Sequence, residues 1–200
     1  SGTGNLAQTL MNNCQCSLDY LGLEIDDLLI DLAASMAEVM KADVNFAQGD
    51  AIRPQVLKES DVIISDLPVG YYPDDAIASR YQVAYPQGHT YAHHLLIEQS
   101  LKYLKPGGVA IFLAPNDLLT SEQSPLLKQW MQDHAQVLAM VTLPENLFRS
   151  ANLAKTIFVF RKQEEAEVQP FVYPLTDLQD QEDLMKFRES FQNWNKESEI

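Results

Sequence analysis

The sequence of 200 residues has few cysteines and contains no long apolar run. The two cysteines, Cys14 and Cys16, are too few for a disulfide framework and form at most half of a metal site. We therefore interpret them as reduced thiols in a cytoplasmic protein. No stretch approaches the ~18 consecutive apolar residues of a membrane span, and no signal peptide is visible. These absences exclude disulfide-stapled and membrane-spanning classes of protein.

Basic residues are also scarce, since 14 Lys and Arg stand against 28 Asp and Glu and the net charge is −14. Phosphate neutralisation dominates sequence-independent binding to nucleic acid, so this charge argues against such binding. It does not exclude a nucleic-acid substrate that another domain or a partner subunit helps to hold. The acidity is greatest in residues 163–200.

Two common sequence signatures are missing as well. No Gly-x-x-x-x-Gly-Lys-Ser/Thr run is present to cradle phosphates, and no Gly-x-Ser-x-Gly run marks a hydrolase nucleophile. His89, His93 and His94 begin a predicted helix, but no third ligand accompanies them, so we expect no metal site and place these histidines on the helix surface or in loop contacts.

What the sequence does contain is an alternation of helices and strands. Amphipathic or helix-forming segments cover residues 6–13, 26–42, 89–104, 124–134 and about 178–194. Strand-type segments cover residues 17–25, 44–48, 61–65, 109–114, 137–143 and 155–161. The pattern predicts an α/β fold, a Rossmann-like, doubly wound, mostly parallel sheet. The last of these strands follows its predecessor without a clear helix between them, so we expect it to be antiparallel.

Both ends of the chain carry an expectation of their own. Ser1-Gly2-Thr3-Gly4 resembles the turn that leaves a strand, so we expect an N-terminally truncated domain whose first, central strand is missing; a remnant of expression or a flexible start is the alternative. Without that strand we expect no continuous sheet. We expect residues 1–162 to form the main domain. Residues 163–200 would form an acidic extension with a terminal helix packed on it, although a partner-binding helix stays open.

Candidate binding residues fall where strands end, which is where open α/β sheets bind ligands. The glycine turn lets backbone approach a ligand, a strand-end carboxylate can accept both hydroxyls of a ribose, and a further Asp can accept from an adenine amino group. Together they describe a nucleoside site without a phosphate cradle. The residues concerned are Gly2, Gly4, Glu24, Asp26, Asp50 and Asp66. A strand-end carboxylate can also cap the next helix, and we expect Asp26 to cap the helix over residues 26–42.

The order of these motifs resembles that of class I S-adenosylmethionine-dependent methyltransferases. The motifs are Gly2-Thr3-Gly4-Asn5, Gly22-Leu23-Glu24-Ile25-Asp26, Gln48-Gly49-Asp50-Ala51 and Ser65-Asp66-Leu67-Pro68. Within that class the chain is similar to the adenine-specific DNA methyltransferases, including the modification subunits of type I restriction systems. The likeness covers about residues 1–162.

The resemblance implies roles for individual residues. Gly2 and Gly4 would line the methionine part of S-adenosylmethionine and Glu24 would hold its ribose. Ile25 would pack on the adenine ring, and Asp50 with the adjacent Ala51 would bind the adenine amino group. Asp66, Pro68 and Tyr71 would be catalytic, with Asp66 also contacting the cofactor. The roles just described belong to Gly2, Gly4, Glu24, Ile25, Asp50, Ala51, Asp66, Pro68 and Tyr71.

Two positions depart from the Asn/Asp-Pro-Pro-aromatic motif of that branch. Leu67 stands in place of a proline, and Val69 stands in place of the aromatic residue that stacks on the flipped base. Tyr71 or Tyr72 could replace that aromatic ring from the loop, or both could only pack the loop.

The resemblance therefore predicts a methyltransferase that modifies the exocyclic amino group of adenine in DNA. DNA would be held through regions outside this chain, namely a missing N-terminal domain or a partner subunit, with no membrane and no metal involved. The alternatives are a catalytically impaired module of the same fold that binds the cofactor or a protein, and an enzyme acting on RNA or protein.

Overall fold

The computed structural model describes residues 1–14, 16–163 and 168–198, and it divides into two compact units, Ser1–Leu57 and Lys58–Ile200. The strands of the described residues are β1 Leu21–Glu24, β2 Asn45–Gln48, β3 Ser60–Asp66, β4 Leu104–Pro115, β5 Ala135–Thr142, β6 Lys155–Lys162 and β7 Phe171–Pro174. The helices are α1 Asn5–Asn13, α2 Asp27–Met40, α3 Asp75–Ala78, α4 Ala92–Lys102, α5 Ser124–His134 and α6 Gln181–Glu197. None of these helices is long and apolar enough to cross a membrane.

The unit 1–57 contains a parallel pair of short strands, β1 and β2, joined through α2. Asp26 caps α2, because its side chain accepts a hydrogen bond of 3.0 Å from the backbone N–H of Leu29. This cap agrees with the sequence prediction. The expected strand over residues 17–25 is too long, however, because its partner β2 has only four residues and pairing ends with the partner.

The unit 58–200 contains a five-stranded sheet with the order β3-β4-β6-β5-β7. Strands β3 and β4 pair in parallel, as do β5 and β7, whereas β6 is antiparallel to both of its neighbours. The expected antiparallel direction is thus confirmed. The connection from β5 to β6 has two short 3₁₀ turns and lacks the α-helix that usually forms a parallel crossover.

The last part of the chain packs on this sheet. Strand β7 lies beside β5, and the rings of Phe187 and Trp194 on α6 contact the ring of Phe171. Trp194 also donates a hydrogen bond of 2.7 Å from Nε1 to the carbonyl of Gln169. The expected apolar face of this helix is confirmed in these contacts, while the domain boundary after residue 162 stays a prediction.

The strands of the described residues pair into two sheets, which agrees with the expectation of no continuous sheet. Among the described residues, β1 pairs only with β2, and β3 is an edge strand that pairs only with β4.

Candidate functional site

The first group of predicted site residues begins at the glycine turn. Gly2 and Gly4 have φ angles of 58° and 80°, in the left-handed region that favours glycine. Gly4 directly precedes α1, and a Cβ atom at this position would lie 3.2 Å from the Cβ atom of Ala33 on α2. The turn therefore depends on glycine for its backbone conformation and for its close approach to α2.

Glu24, at the end of β1, is tied to this turn. Its Oε2 accepts from the backbone N–H of Gly2 at 2.6 Å, and its Oε1 accepts from the backbone N–H groups of Ile25 at 2.9 Å and Asp26 at 3.1 Å. Burial raises the pKa of Glu24, whereas backbone hydrogen bonds from Asp26 and Gly2 lower it, and the pKa lies below its usual value. The site therefore holds an ionised carboxylate.

Apolar and acidic groups adjoin this carboxylate. The side chain of Ile25 is 63% exposed, which is unusual for an isoleucine that directly follows a strand. Asp50 follows β2, the parallel neighbour of β1, so it lies at the same edge as Glu24, and Ala51 is next to it. Asp50 accepts a hydrogen bond of 2.9 Å from the N–H of Ile52, which fixes its carboxylate at the start of the turn.

The second group of predicted residues follows β3 in the unit 58–200. Asp66 ends the strand with a side chain that is 57% exposed. The buried Leu67 bonds through its N–H to the carbonyl of Leu113 at 2.9 Å. The ammonium of Lys155 contacts the Asp66 carboxylate and also donates to the carbonyl of Leu67 at 2.9 Å. One nitrogen therefore has hydrogen bonds to a side-chain oxygen and to a main-chain oxygen of the motif.

Lys155 is the functional candidate that sequence reasoning missed. In the sequence it is one of four basic residues between positions 149 and 162, with Arg149, Arg161 and Lys162, and no motif distinguishes it. Because β6 is antiparallel, its first residue lies beside Pro115, at the edge where β3 and β4 end. The predicted antiparallel direction of β6 puts Lys155 at this edge, but its position near Asp66 also requires the strand order β3-β4-β6.

Aromatic rings surround the loop that follows the motif. Tyr71 is 58% exposed and stacks on Tyr91, with ring centroids 5.0 Å apart and an angle of 6° between the planes. Tyr91 in turn stacks on His93 at 5.0 Å, and His93 forms a hydrogen bond with the backbone of Pro68. Val69 is exposed and carries no ring. The described residues thus place one accessible aromatic ring, Tyr71, two positions after Val69.

The histidines of α4 correct one expectation. His93 and His94 are buried rather than on the helix surface, and this burial lowers the pKa of His93 to about 4 and that of His94 to about 3. The reason is that neighbouring segments cover several sides of α4, so that polar side chains of this helix are buried as well as apolar ones. His89 is exposed and contacts Asp75 at 2.9 Å. No cluster of three or more metal-ligating side chains occurs in the described part of the chain.

Comparison with known proteins places this arrangement in a family. The family model described as N-6 DNA methylase matches residues 6–199. The chain belongs to the N-6 DNA methylase family.

Individual relatives agree with this assignment. The uncharacterized protein YtxK of Bacillus subtilis is 40% identical over 147 residues, which are 73% of this chain and 45% of YtxK. A solved structure from Listeria monocytogenes, described as a class I S-adenosylmethionine-dependent methyltransferase, is 31% identical with a TM-score of 0.88, covering 96% of this chain and 62% of that one. A modification subunit of a type I restriction enzyme from Vibrio vulnificus shares the fold, with 15% identity, a TM-score of 0.77 and coverage of 96% and 47%.

These findings confirm the predicted class, its Rossmann-like α/β fold and S-adenosylmethionine as its cofactor. The residues of the glycine-turn group fit that cofactor, because they combine a tight backbone turn, an ionised carboxylate, an exposed apolar side chain and a strand-end Asp. The chain spans less than two thirds of the length of the relatives just described.

Proposed function

We propose that this chain is the catalytic region of a methyltransferase that transfers a methyl group to the exocyclic amino group of adenine in DNA. The observation that carries the proposal is that the Lys155 ammonium donates hydrogen bonds to both the Asp66 carboxylate and the Leu67 carbonyl. Two acceptors that converge on one nitrogen of the protein could converge equally on the amino nitrogen of a target base. Family membership supports the same chemistry.

The glycine-turn group would hold the cofactor. Gly2 and Gly4 would line its methionine part, Glu24 would accept from the ribose hydroxyls, and Ile25 would pack on the adenine ring. Asp50, beside Ala51, would accept from the adenine amino group. S-adenosylmethionine, when bound, supplies an electrophilic methyl group.

Asp66 and Leu67 would position the target nitrogen. With its two N–H groups donated to these acceptors, the nitrogen keeps its lone pair directed away from them and available for the methyl group. This role needs placement more than proton transfer. The proline-to-leucine departure does not remove the main-chain acceptor, because the Leu67 carbonyl already accepts a hydrogen bond from Lys155.

Pro68 and Tyr71 would shape the pocket of the base. Val69 cannot supply the aromatic face that stacks on a flipped base, a contact of about 1–3 kcal/mol in nucleic-acid complexes. The exposed ring of Tyr71 would take its place, supported from behind by Tyr91. DNA would be held mainly by regions outside this chain or by a partner subunit, since this chain is strongly acidic. We place the protein in the cytoplasm.

A catalytically impaired module that still binds the cofactor is the second candidate. The specific observations in its favour are the ring-less Val69 and the occupation of the motif acceptors by Lys155. Under this reading the protein would bind S-adenosylmethionine and transfer no methyl group to DNA, RNA or protein.

One pair of measurements on the native-length protein separates the two candidates. Calorimetric titration with S-adenosylmethionine should give saturable binding. Incubation with labelled cofactor and, separately, unmethylated DNA, RNA or protein should give methylated adenine in the DNA. Binding without transfer to any of the three polymers would support the impaired module. A folded protein that does not bind the cofactor would contradict both candidates.

A further inference from the structure

Lys155 has more hydrogen-bonding capacity than the protein uses. An ammonium has three N–H donors, and among the described residues Lys155 Nζ has two acceptors, the Asp66 carboxylate and the Leu67 carbonyl. Its side chain is only 14% exposed, so the charge lies mostly away from water. The third donor therefore remains available to a ligand at the motif.

The two acceptors have spare capacity as well. A carboxylate offers about four lone-pair positions and a carbonyl offers about two. Lys155 is the hydrogen-bond partner of Asp66 within the described chain, and Asp66 is more than half exposed. A target amino group could therefore share Asp66 and Leu67 with Lys155 instead of displacing it.

The cost of breaking the ion pair between Lys155 and Asp66 also favours a target amino group that shares the acceptors with Lys155 over one that displaces it. If the target removed Asp66 from Lys155, a mostly buried ammonium would be left without its counter-charge, which is strongly unfavourable. If the ion pair stays in place, an uncharged acceptor on the target can instead accept the third N–H of the Lys155 ammonium, which then has three hydrogen-bond partners.

We propose that Lys155 is a specificity-determining residue that reads the ring nitrogen next to the target amino group. The inference rests on the proposed function and deepens it. The motif would present two acceptors to the amino group and one ammonium donor to an adjacent acceptor atom. Adenine carries this combination, because its amino group is flanked by ring nitrogens that accept hydrogen bonds.

The same arrangement rejects simple amines. An alkylammonium target has no acceptor for the third N–H of Lys155, and it would bring a second positive charge close to the first. Lys155 thus restricts the site to a planar amino group that has an acceptor beside it.

The test measures kcat/KM of the native-length protein on pools of unmethylated random-sequence DNA. One pool contains normal adenine, and two others replace it with 7-deazaadenine or 1-deazaadenine, each lacking one flanking ring nitrogen. We expect one of the two replacements to lower kcat/KM of the wild type by about tenfold or more, as for the loss of a hydrogen bond to a charged group.

The variant Lys155→Met should lower kcat/KM on normal adenine by a similar factor and should no longer distinguish that analogue from adenine. Comparing ratios cancels the effect of the analogue on base pairing. Lys155→Arg, which keeps the charge and the donors, should keep most of the discrimination. The matched control is Lys162→Met, because Lys162 lies on the same strand and donates at 2.6 Å to Leu104, away from the motif.

The outcomes separate this inference from the proposed function. Methylation of normal adenine with no discrimination against either analogue by the wild type would overturn the role of Lys155 and leave the proposed function intact. Equal discrimination by the wild type and Lys155→Met would overturn it too. If Lys155→Met does not fold, Lys155→Ala replaces it: loss of the discrimination supports the role of Lys155, and discrimination equal to that of the wild type overturns it. No methylation of normal adenine would overturn the proposed function itself.

Discussion

The two groups of site residues are built in different ways. In the unit 1–57 they are held mainly by backbone hydrogen bonds around Glu24, the end of a four-residue strand. In the unit 58–200 the key contact joins Asp66 to Lys155, 89 residues apart in the sequence, on the two strands that flank β4. A short motif can specify the first kind of site, whereas the second kind requires the correct strand order.

The two units also differ in how many side chains their helices bury. Helix α2 of the first unit buries only Ala33 and Ala37 and leaves Leu28 and Val39 exposed. Helix α4 of the second unit buries most of its residues, including two histidines. Among the described residues, α4 is therefore packed on more of its surface than α2 is.

The largest effect should come from the second group. Asp66→Ala removes one of the two acceptors of the target amino group, so methyl transfer to DNA should fall by about a hundredfold to a thousandfold, as for the loss of other positioned polar groups. Asp66 is exposed, so the fold should persist in circular dichroism. The matched control is Asp61→Ala at the opposite end of β3, where Asp61 pairs with Lys105. Unchanged transfer by Asp66→Ala would remove Asp66 from the mechanism.

Acid should destabilise the second unit through its buried histidines. The folded-state pKa values of His93 and His94, about 4 and about 3, lie below the usual value of 6.5. The folded state therefore binds these protons less readily than the unfolded state, and stability falls as pH drops from about 6.5 towards 3. Since one pKa unit corresponds to about 1.4 kcal/mol, the loss should reach a few kcal/mol.

The variant His94→Leu isolates this contribution. Both ring nitrogens of His94 are buried without a hydrogen-bond partner in the described structure, so an apolar replacement loses no such bond. Denaturant unfolding at several pH values should show a shallower pH dependence than in the wild type. An identical slope would mean that His94 does not resist protonation in the folded state.

Cofactor affinity should respond to the first group. Glu24→Ala removes the carboxylate proposed to accept the ribose hydroxyls, so the Kd for S-adenosylmethionine should rise by about tenfold to a hundredfold, the range for hydrogen bonds to a charged group. Calorimetric titration measures this change. Glu38→Ala on α2 is the control and should bind like the wild type. Equal affinities of all three proteins would contradict the role of Glu24.

The smallest effect should be on the stability of the first unit. Gly4→Ala places a Cβ atom at a left-handed φ angle and 3.2 Å from the Cβ atom of Ala33, so we expect a loss of about 1–2 kcal/mol. Gly49→Ala is the control, since its Cβ would meet only ordinary contacts beginning at 3.5 Å. Hydrogen exchange should locate the loss of protection within residues 1–57. Protection equal to that of Gly49→Ala would show that the turn tolerates a side chain.

The sequence by itself was sufficient for the fold class, the cap at Asp26, the direction of β6 and the family. Local patterns in the sequence predict these features: apolar periodicity, strand-end carboxylates, the glycine turn and the lack of a helix between the last two core strands. The roles of the predicted site residues are proposals that follow from the same motifs, and the structure adds the contacts that support them.

Only the tertiary structure decided which residues meet the motif from far along the chain. The burial of His93 and His94 depends on how many sides of α4 are covered, and helical periodicity does not state that number. The contact of Lys155 with Asp66 and Leu67 depends on the order of β3, β4 and β6. Strand order is set by packing between segments that are distant in the sequence. For this reason Lys155, which no sequence motif distinguishes from other basic residues, contacts the proposed catalytic carboxylate only in the folded structure.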